Sequence, residues 1–390
     1  MNPLMFADRT AWNLEENRLT RVLAESRRAG KPTLDLTRSN PTECGFVYDE
    51  PAIQKAFGAT GILRYQPDPR GVKRAREAIG AYYAAQQASV DASDLILTSG
   101  TSEAYSFVFR LLCNPGDEIL IPAPSYPLFD FLADLCDVKL VRYPLVYDHG
   151  WQIDFSALAG AISGKARAVI VVHPNNPTGH YASATERAHL SRFCAENGIA
   201  LISDEVFLDF SLKDQREQSF ARATEALTFT LSGISKICGL PQMKLAWIAV
   251  GGSPQLKNNA LARLEIIADS YLSVGTPVQL AAPALLATRT SFQTQIMQRV
   301  RANLRELTAQ LSDQSACNVL ANDGGWSAVL RVPAIQSDED LALALLTQRG
   351  VHAHPGHFYD FAQPGHLVVS LIVPEQEFAE GIRRVLAHFA

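Results

Sequence analysis

The chain has 390 residues, of which 47% are hydrophobic and 19% charged, and its mean hydropathy is zero. Forty acidic against thirty-five basic residues give a formal net charge of −5 without a long run of either sign, which disfavours binding to nucleic acid. This length and composition predict a globular protein of about two to three domains.

The sequence gives no indication of a targeting signal, a membrane span, a disulfide framework or a metal site. Its first nine residues become charged too early for a signal peptide, and no stretch reaches the ~18 uncharged apolar residues of a membrane span. The six cysteines are scattered, without a CxxC pair or a Cys/His cluster, which favours reduced thiols. We therefore expect a soluble, cytoplasmic protein.

From residue 94 onward, short apolar runs alternate with amphipathic segments. The predicted strands are Asp94–Thr98, Glu118–Ile121, Val138–Tyr143, Ala166–His173, Ile199–Ser203, Leu227–Leu231 and Lys244–Val250. Helices are predicted between the first two strands, over Tyr126–Cys136 and over about 183–197. This alternation indicates βαβ units and a parallel sheet, whose ligands bind at the carboxyl ends of the strands.

After residue 252 the pattern changes to long predicted helices, over about 253–269 and 282–312. A Gly324-Gly325 turn, short strands and a final helix from Glu375 follow. These elements indicate a second α+β region. We expect a large domain of residues 46–275 and a smaller domain formed by residues 1–45 and 276–390.

Lys236 follows one of the predicted strands, in the segment Ser232-Gly-Ile-Ser-Lys236, among small residues with few charges. Desolvation at such a position favours the neutral, nucleophilic amine, which forms imines with carbonyl compounds. A single lysine at a strand end is more often simply solvated. The functional interpretation therefore depends on residues at the neighbouring strand ends.

Four further groups follow predicted strands, and each has an ordinary structural alternative. Asp204 can bond a protonated pyridine nitrogen or cap a helix, and Asn176 can donate to a phenolate oxygen or form a turn. The segment Ser99-Gly100-Thr101-Ser102 can bind phosphate at a helix N-terminus or serve only as a cap. Tyr126 can stack on a flat heteroaromatic ring or pack in the core.

Taken together and in this order, these segments resemble the class I/II aminotransferases of pyridoxal-phosphate (PLP) fold type I, from about Leu34 to the C-terminus. The matching segments are Ser-Gly-Thr with Glu-Ala at 99–104, Asn-Asn-Pro-Thr-Gly at 175–179, Asp-Glu-Val at 204–206 and Ser-Lys at 235–236. The resemblance implies an α/β protein with a mostly parallel sheet sandwiched by helices, a smaller α+β domain, and pyridoxal 5'-phosphate as cofactor.

The resemblance also implies a role for each residue. Lys236 would form a Schiff base with the cofactor and then transfer protons as general base and acid. Asp204 would pair with the pyridinium nitrogen, Asn176 would bond the ring oxygen and Tyr126 would stack on the ring. The phosphate ligands would be Gly100, Thr101, Ser102, Lys244 and Ser232, together with Tyr65 from a second subunit. Tyr65 thus implies a homodimer with shared active sites, unless it packs locally.

Three positions depart from the pattern of that family. Lys244 replaces an arginine and loses its two-pronged geometry, and Phe207 replaces a tyrosine, so that the Schiff base should hold its proton to higher pH. Val368, in Leu367-Val-Val-Ser-Leu371, stands where an arginine usually binds the substrate α-carboxylate. Arg38 and Arg70 are the candidate replacements, although each is equally compatible with a surface ion pair.

The favoured function is the transfer of an amino group between an amino acid or amine donor and a 2-oxo acid, by a ping-pong mechanism. The alternative is a PLP-dependent lyase or decarboxylase on the same fold, because carboxylate anchoring decides which bond breaks. A DNA-binding regulator is disfavoured, since residues 1–45 are too short and insufficiently basic, and a dehydrogenase lacks the G-x-G-x-x-G segment. Trp326, with Tyr359 and Phe361, is a candidate for the substrate pocket or for the core.

Overall fold

A computed structural model of the chain describes residues 5–213, 218–311 and 316–389. In chain order the strands are β1 (Leu34–Asp35), β2 (Leu95–Thr98), β3 (Glu118–Ala123), β4 (Lys139–Tyr147), β5 (Trp151–Ile153), β6 (Ala166–Val172), β7 (Ala200–Asp204), β8 (Thr228–Gly233), β9 (Ala246–Gly251), β10 (Asn318–Val319), β11 (Ser327–Arg331), β12 (Val351–His352), β13 (His354–Pro355) and β14 (His366–Ser370). The α-helices are α1 (Arg18–Arg28), α2 (Glu50–Ala56), α3 (Lys73–Ala85), α4 (Thr101–Leu112), α5 (Phe129–Leu135), α6 (Phe155–Ala161), α7 (Ala184–Glu196), α8 (Ile234–Ile237), α9 (Pro254–Asp269), α10 (Thr276–Ala287), α11 (Arg289–Gln310), α12 (Asp338–Ala344) and α13 (Glu375–Leu386).

Eight strands form a large sheet in the order β2-β9-β8-β7-β6-β3-β4-β5. Successive residues of β6 alternate between its two faces. Ile170 packs against the helices α4, α5 and α9, whereas Val169 and Val171 pack on the side of α6 and α7. This alternation follows from the two-residue period of a strand. Helices therefore cover both faces, as the apolar runs of the sequence predict.

The large sheet is mixed but mostly parallel, as expected from the sequence. Strands β3, β4, β6, β7 and β8 are parallel to one another, but β9 is antiparallel to both β2 and β8. A parallel crossover usually contains a helix long enough to carry the chain back along the sheet. Between β8 and β9 the chain has only the four-residue α8 and a short 3₁₀ turn, so it reverses direction.

Some predicted element bounds also need correction. The helix predicted over 126–136 begins at Phe129, because Tyr126 precedes a proline and is disfavoured in helical conformation. The single helix predicted over 282–312 is divided into α10 and α11 at Thr288, whose hydroxyl donates to the Leu285 carbonyl oxygen at 2.8 Å. The β4–β5 hairpin was not predicted from the sequence.

A second, smaller sheet has the antiparallel order β10-β11-β14-β13, and β1 pairs in parallel with β12. Its core contains Leu330, Val369 and Phe378, which pack with apolar residues of α11 and α13. The carboxyl ends of β2, β3, β6, β7 and β8 lie along one edge of the large sheet. Strand β14 of the small sheet faces the same space as this edge, and residues of both surround one cavity. None of the helices within the described residues is long and apolar enough to cross a membrane.

Candidate active site

The cavity at this edge has a volume of about 390 Å³. Its walls include six of the residues predicted from the sequence, namely Thr101, Ser102, Tyr126, Asn176, Asp204 and Lys236. They come from five separate segments of the chain, each at or just after the end of a strand of the large sheet. The rule that ligands of such sheets bind at the strand carboxyl ends therefore predicted the position of the cavity.

Lys236 lies in α8, three residues after β8 ends. Burial lowers the pKa of its ammonium group, and the charge of Asp204 opposes this effect. Its Nζ atom lies 5.1 Å from the ring centroid of Trp326 and 5.6 Å from that of Phe207. The side chain thus has one acidic neighbour and two aromatic ones. Lowering of the pKa makes the unprotonated amine more available as a nucleophile.

Asp204 is the last residue of β7, and its carboxylate has two hydrogen-bond donors. The Tyr105 hydroxyl donates to Oδ2 at 2.9 Å and the Val206 amide donates to Oδ1 at 3.1 Å. Burial raises the pKa of Asp204 to about 6, although both hydrogen bonds and Lys236 act in the opposite direction. A cationic group bound beside this carboxylate would lower its pKa again and hold it ionised.

The start of α4 provides a site for an anion. Gly100 is the N-cap residue, followed by Thr101 and Ser102 in the cavity wall. The Lys244 ammonium lies at the same place, since a Cβ atom added to Gly100 would be 3.4 Å from Nζ. Helix-terminal amides, two hydroxyls and an ammonium suit a phosphate group. The Glu103 carboxylate already has two hydrogen-bond partners, because its Oε2 accepts from the Ser99 amide and from the Ser273 hydroxyl.

Asn176 is held in a loop that its neighbour Asn175 organises. The Asn175 side chain is buried, donates to the Pro124 carbonyl oxygen and accepts from the Thr178 hydroxyl at 2.8 Å. Gly179 ends this loop with a φ of +72°, and a side chain there would collide with Asn322. The loop conformation therefore requires glycine at this position. Asn176 itself accepts from the Ser327 hydroxyl at 3.4 Å.

The expectation that Ser232 is a phosphate ligand needs correction. Its hydroxyl is buried and donates to the Glu205 carbonyl oxygen at 3.3 Å, and the residue is not part of the cavity wall. Ser235, directly before Lys236, lines the cavity instead. The two serines are three residues apart across the change from strand to helix, so the sequence pattern alone did not separate them.

Neither arginine suggested for the substrate lines the cavity. Arg38 donates to Glu377 at 2.8 Å, and Arg70 pairs with Glu265 at 2.7 Å. Of the two alternatives for each arginine, the structure therefore fits the ion pair and not the binding of substrate. Tyr65 also lies outside this cavity; its side chain is 77% exposed on the surface of the chain. An exposed tyrosine is compatible with a contact to a second subunit.

The three departures noted in the sequence lie at or beside the cavity. Phe207 and Val368 line it, and Lys244 lies at the start of α4. Trp326 and Tyr359 also belong to the wall, whereas Phe361 does not. Among the described residues that form the wall, Lys236 is the sole lysine or arginine.

Sequence reasoning missed several residues of the wall. Tyr105 lies one helical turn after Thr101, so the i, i+4 spacing on α4 was a usable signal for it. His354, Ser370, Thr37 and Ser39 come from the small sheet or the segment before it, and no local pattern connects them to the large sheet. Their position depends on how the small sheet packs, which the sequence pattern does not specify.

Comparison with known proteins agrees with this geometry. The family model for aminotransferase class I and II matches residues 45–385. The human tyrosine aminotransferase is 25% identical over 367 residues, covering 91% of this chain and 80% of that protein. The alanine aminotransferase of Mycobacterium tuberculosis is 25% identical over 365 residues, covering 91% and 85%.

Among solved structures, the alanine aminotransferase of Pyrococcus furiosus superposes with a TM-score of 0.89 at 22% identity, covering 98% of this chain and 99% of that one. This similarity concerns the fold. The family match covers most of the sequence, including every strand of the large sheet and all residues of the cavity wall except Thr37 and Ser39. The chain therefore belongs to the aminotransferase class I and II family.

Proposed function

We propose that the protein is a PLP-dependent aminotransferase that works by a ping-pong mechanism, with Lys236 as the residue that binds the cofactor covalently. The observation that carries this proposal is the position of Lys236, whose amine is buried within one cavity with the carboxylate of Asp204. Burial lowers the pKa of the lysine and so favours the nucleophilic form.

The residues present fit PLP at both of its ends. The start of α4 with Thr101, Ser102 and Lys244 supplies amides, hydroxyls and a positive charge for the phosphate. Asp204 supplies a carboxylate for the protonated ring nitrogen, and the Tyr105 hydroxyl donates to this carboxylate. We assign Asn176 to the ring oxygen and Tyr126 to stacking on the ring, since both line the same cavity.

When bound, PLP supplies an aldehyde carbon that takes up the donor's nitrogen and Cα hydrogen and is reduced, while the donor carbon is oxidised to a carbonyl. Lys236 holds and returns the proton that leaves the donor carbon. Asp204 keeps a negative charge beside the ring nitrogen, and the aromatic residues around Lys236 exclude water from the reacting atoms. A 2-oxo acid then reverses the exchange.

A lyase or decarboxylase reaction on the same fold is the weaker alternative. The relatives described above are named for amino-group transfer, which supports the transaminase. The decisive experiment reconstitutes the protein with PLP, reduces it with borohydride and maps the modified peptide. We expect the label on Lys236, none in Lys236→Ala, and normal labelling in the control Lys139→Ala, which changes an exposed lysine of β4. Label on another peptide would overturn the assignment.

The reaction class is tested by the products. After addition of an amino donor to the PLP-loaded protein, pyridoxamine phosphate should accumulate in an amount equal to the carbonyl product. Release of CO₂ or of an elimination product without pyridoxamine phosphate would establish the lyase or decarboxylase instead. A mixture of donor and 2-oxo acid should give parallel lines in double-reciprocal plots, as a ping-pong cycle requires.

We also propose that the active form is a homodimer in which Tyr65 of one subunit reaches the phosphate of the other. Its exposure supports this assignment. Lys236→Ala and Tyr65→Ala homodimers should both be impaired, whereas a hybrid of the two has one intact site and should recover activity. If both homodimers are impaired and the hybrid does not recover, Tyr65 acts within its own subunit and the shared site is wrong; a fully active Tyr65→Ala homodimer would place Tyr65 outside the site. The division of the chain into a large domain of residues 46–275 and a small domain of residues 1–45 and 276–390 remains a prediction, as does a cytoplasmic location.

A further inference from the structure

One end of the cavity is formed by an uncharged wall around Val368. This residue of β14 is 2% exposed and packs with Leu320, Val329 and Tyr359. Its neighbour across the strand pair with β13 is His354. Burial lowers the pKa of His354 to about 4, so that the ring is neutral near pH 7, and its Nδ1 lies 3.0 Å from the Tyr359 hydroxyl. The described residues at this end of the cavity therefore carry no positive charge.

A substrate carboxylate would find no counter-ion at this wall. The guanidinium of Arg38 is bonded to Glu377, and that of Arg70 is bonded to Glu265. Lys236 is the only lysine or arginine among the described residues of the wall, and the proposed function uses its nitrogen to bind the cofactor. The cavity also contains the carboxylate of Asp204. Bringing a second, unpaired carboxylate into this partly buried space is strongly unfavourable.

Two residues close to Val368 in the small sheet carry neutral hydrogen-bonding groups: Ser370 lies two residues further along β14, and Trp326 directly precedes β11, which pairs with β14. The indole nitrogen of Trp326 and the hydroxyl of Ser370 are both buried and have no hydrogen-bond partner within the described part of the chain. Both residues line the cavity. Their main chains are fixed, because the Ser370 amide donates to Leu36 and the Trp326 carbonyl oxygen accepts from the Leu371 amide, each at 2.7 Å. An indole N–H can only donate, so its partner must carry an acceptor atom.

We propose that the amino donor carries an uncharged oxygen group, such as a hydroxymethyl or carboxamide, on its amine-bearing carbon in place of a carboxylate. The Trp326 indole and the Ser370 hydroxyl would bond this oxygen, and Val368 would pack against the rest of the group. This inference rests on the proposed function, because it specifies the donor of that reaction. It needs no further oxidant: the cofactor's aldehyde carbon is reduced as the donor carbon becomes a carbonyl.

The test uses the PLP-loaded wild-type protein and matched donor series. Each series has one side chain, taken from alanine, leucine, phenylalanine or glutamate, and three members: the amino acid, its carboxamide and its amino alcohol. The single-turnover rate of cofactor conversion is followed by absorbance and plotted against donor concentration. The initial slope of this plot is the second-order rate constant. In at least one series we expect this constant to be about tenfold or more higher for the uncharged members than for the amino acid, equivalent to about 1.4 kcal/mol.

Variants then test the two hydrogen-bonding groups. Ser370→Ala removes one donor with little change of shape, and Trp326→Phe removes the indole N–H together with one of the two fused rings. For an amino alcohol or carboxamide, each should raise the half-saturating concentration about five- to tenfold, and in Ser370→Ala the maximal rate should change little. Ser270→Ala, at the exposed end of α9, is the matched control and should change neither value. Equal losses for charged and uncharged donors would indicate a merely structural role and overturn the assignment.

The outcomes separate this inference from the function on which it rests. If amino acids react and their uncharged counterparts do not, transamination stands and the inference is wrong. If Arg64→Ala then abolishes the reaction with amino acids, the missing cation comes from the exposed arginine beside Tyr65, which likewise overturns the inference. If no member of any series produces pyridoxamine phosphate, the proposed function fails, and the inference with it.

Discussion

The hydroxyl of Tyr105 lies 2.9 Å from Oδ2 of Asp204 and donates a hydrogen bond to it. Tyr105 is buried within α4, and burial together with the charge of Asp204 raises its own pKa far above the ordinary value, so that it keeps its proton. This bond favours the ionised carboxylate, which is the form that can hold a protonated pyridine ring. The helix to which we assign the phosphate end of the cofactor thus also orients the carboxylate that we assign to its nitrogen end.

The variant Tyr105→Phe should weaken cofactor binding. It removes a hydrogen bond to a charged group, which corresponds to about 1.5–3 kcal/mol, or roughly a ten- to hundredfold higher dissociation constant. A fluorescence titration of the cofactor-free protein with PLP measures this constant. Tyr271→Phe is the control, because that tyrosine is 51% exposed and its removal should leave the constant unchanged. An unaltered constant in Tyr105→Phe would contradict the prediction.

The raised pKa of Asp204 predicts a cost in stability for the cofactor-free protein. Its pKa is about 6 when folded and 3.8 ordinarily, so between these values the folded protein holds the proton more tightly than the unfolded chain. The free energy of unfolding should therefore fall as the pH rises from about 4 to above 6. The loss for this one group is about 3 kcal/mol at most.

Asp204→Asn should remove that cost. We expect its melting temperature without cofactor to exceed that of the wild type at pH 8 but not at pH 4, where the wild-type carboxyl is protonated. The same variant should bind PLP more weakly. Asp269→Asn, which changes an exposed residue, should show neither effect. A stabilisation of the same size at both pH values would exclude the electrostatic explanation.

Phe207 lies beside the reactive lysine, where the resemblance implies a tyrosine. Its ring and that of Trp326 face the Lys236 nitrogen, and such rings favour a cation by about 0.5–2 kcal/mol. Phe207→Tyr adds a hydrogen-bond donor that favours the unprotonated linkage between lysine and cofactor. A spectral pH titration of the PLP-loaded variant should therefore show that the pKa of this lysine–cofactor linkage is lowered by about one unit. Phe131→Tyr, at an exposed position, should leave it unchanged.

Lys244 should contribute to cofactor affinity through the phosphate alone. Lys244→Ala is expected to raise the dissociation constant of PLP about ten- to hundredfold, and Lys244→Arg should lower it, because a guanidinium can bond two phosphate oxygens. Both substitutions keep a side chain at the left-handed backbone conformation of this residue. Pyridoxal, which lacks the phosphate, is the control ligand. If its affinity fell as much as that of PLP, the effect would not come from the phosphate.

Introducing a cation at the uncharged wall should change substrate preference. In Val368→Arg, amino acids should gain about tenfold or more over their carboxamides in the half-reaction, because the guanidinium can pair with a carboxylate. Val146→Arg is the matched control at a position 43% exposed. The variant disturbs a buried apolar cluster, so its melting temperature should be measured alongside. A folded variant with unchanged preference would contradict the prediction.

The strand ends made much of the cavity predictable. Lys236, Asp204, Asn176 and Tyr126 each follow an apolar run, and parallel strands bring such positions to one edge of a sheet. The direction of β9 was not predictable in this way, since it depends on a short connection rather than on the apolar pattern of the strand itself. Local patterns identify strands more readily than they identify their orientation.

Residues that come from distant parts of the chain could not be predicted. Arg38 was a reasonable candidate by its position, but its partner Glu377 is 339 residues away in sequence. Ser370 and His354 enter the cavity only because the small sheet packs against the edge of the large one. Such contacts result from tertiary packing, which neither periodicity nor the turn residues determine.

The reversal of the chain between β8 and β9 has a further consequence. It places Lys236 and Lys244 at one edge of the sheet, separated by a single tight loop. Gly239 lies in this loop with a φ of +67°, and any side chain there would strike the ring of Phe292. The loop therefore keeps the backbones of the two lysines close together. Under the proposed function, it brings the residue for the aldehyde and the residue for the phosphate of the cofactor to the same cavity.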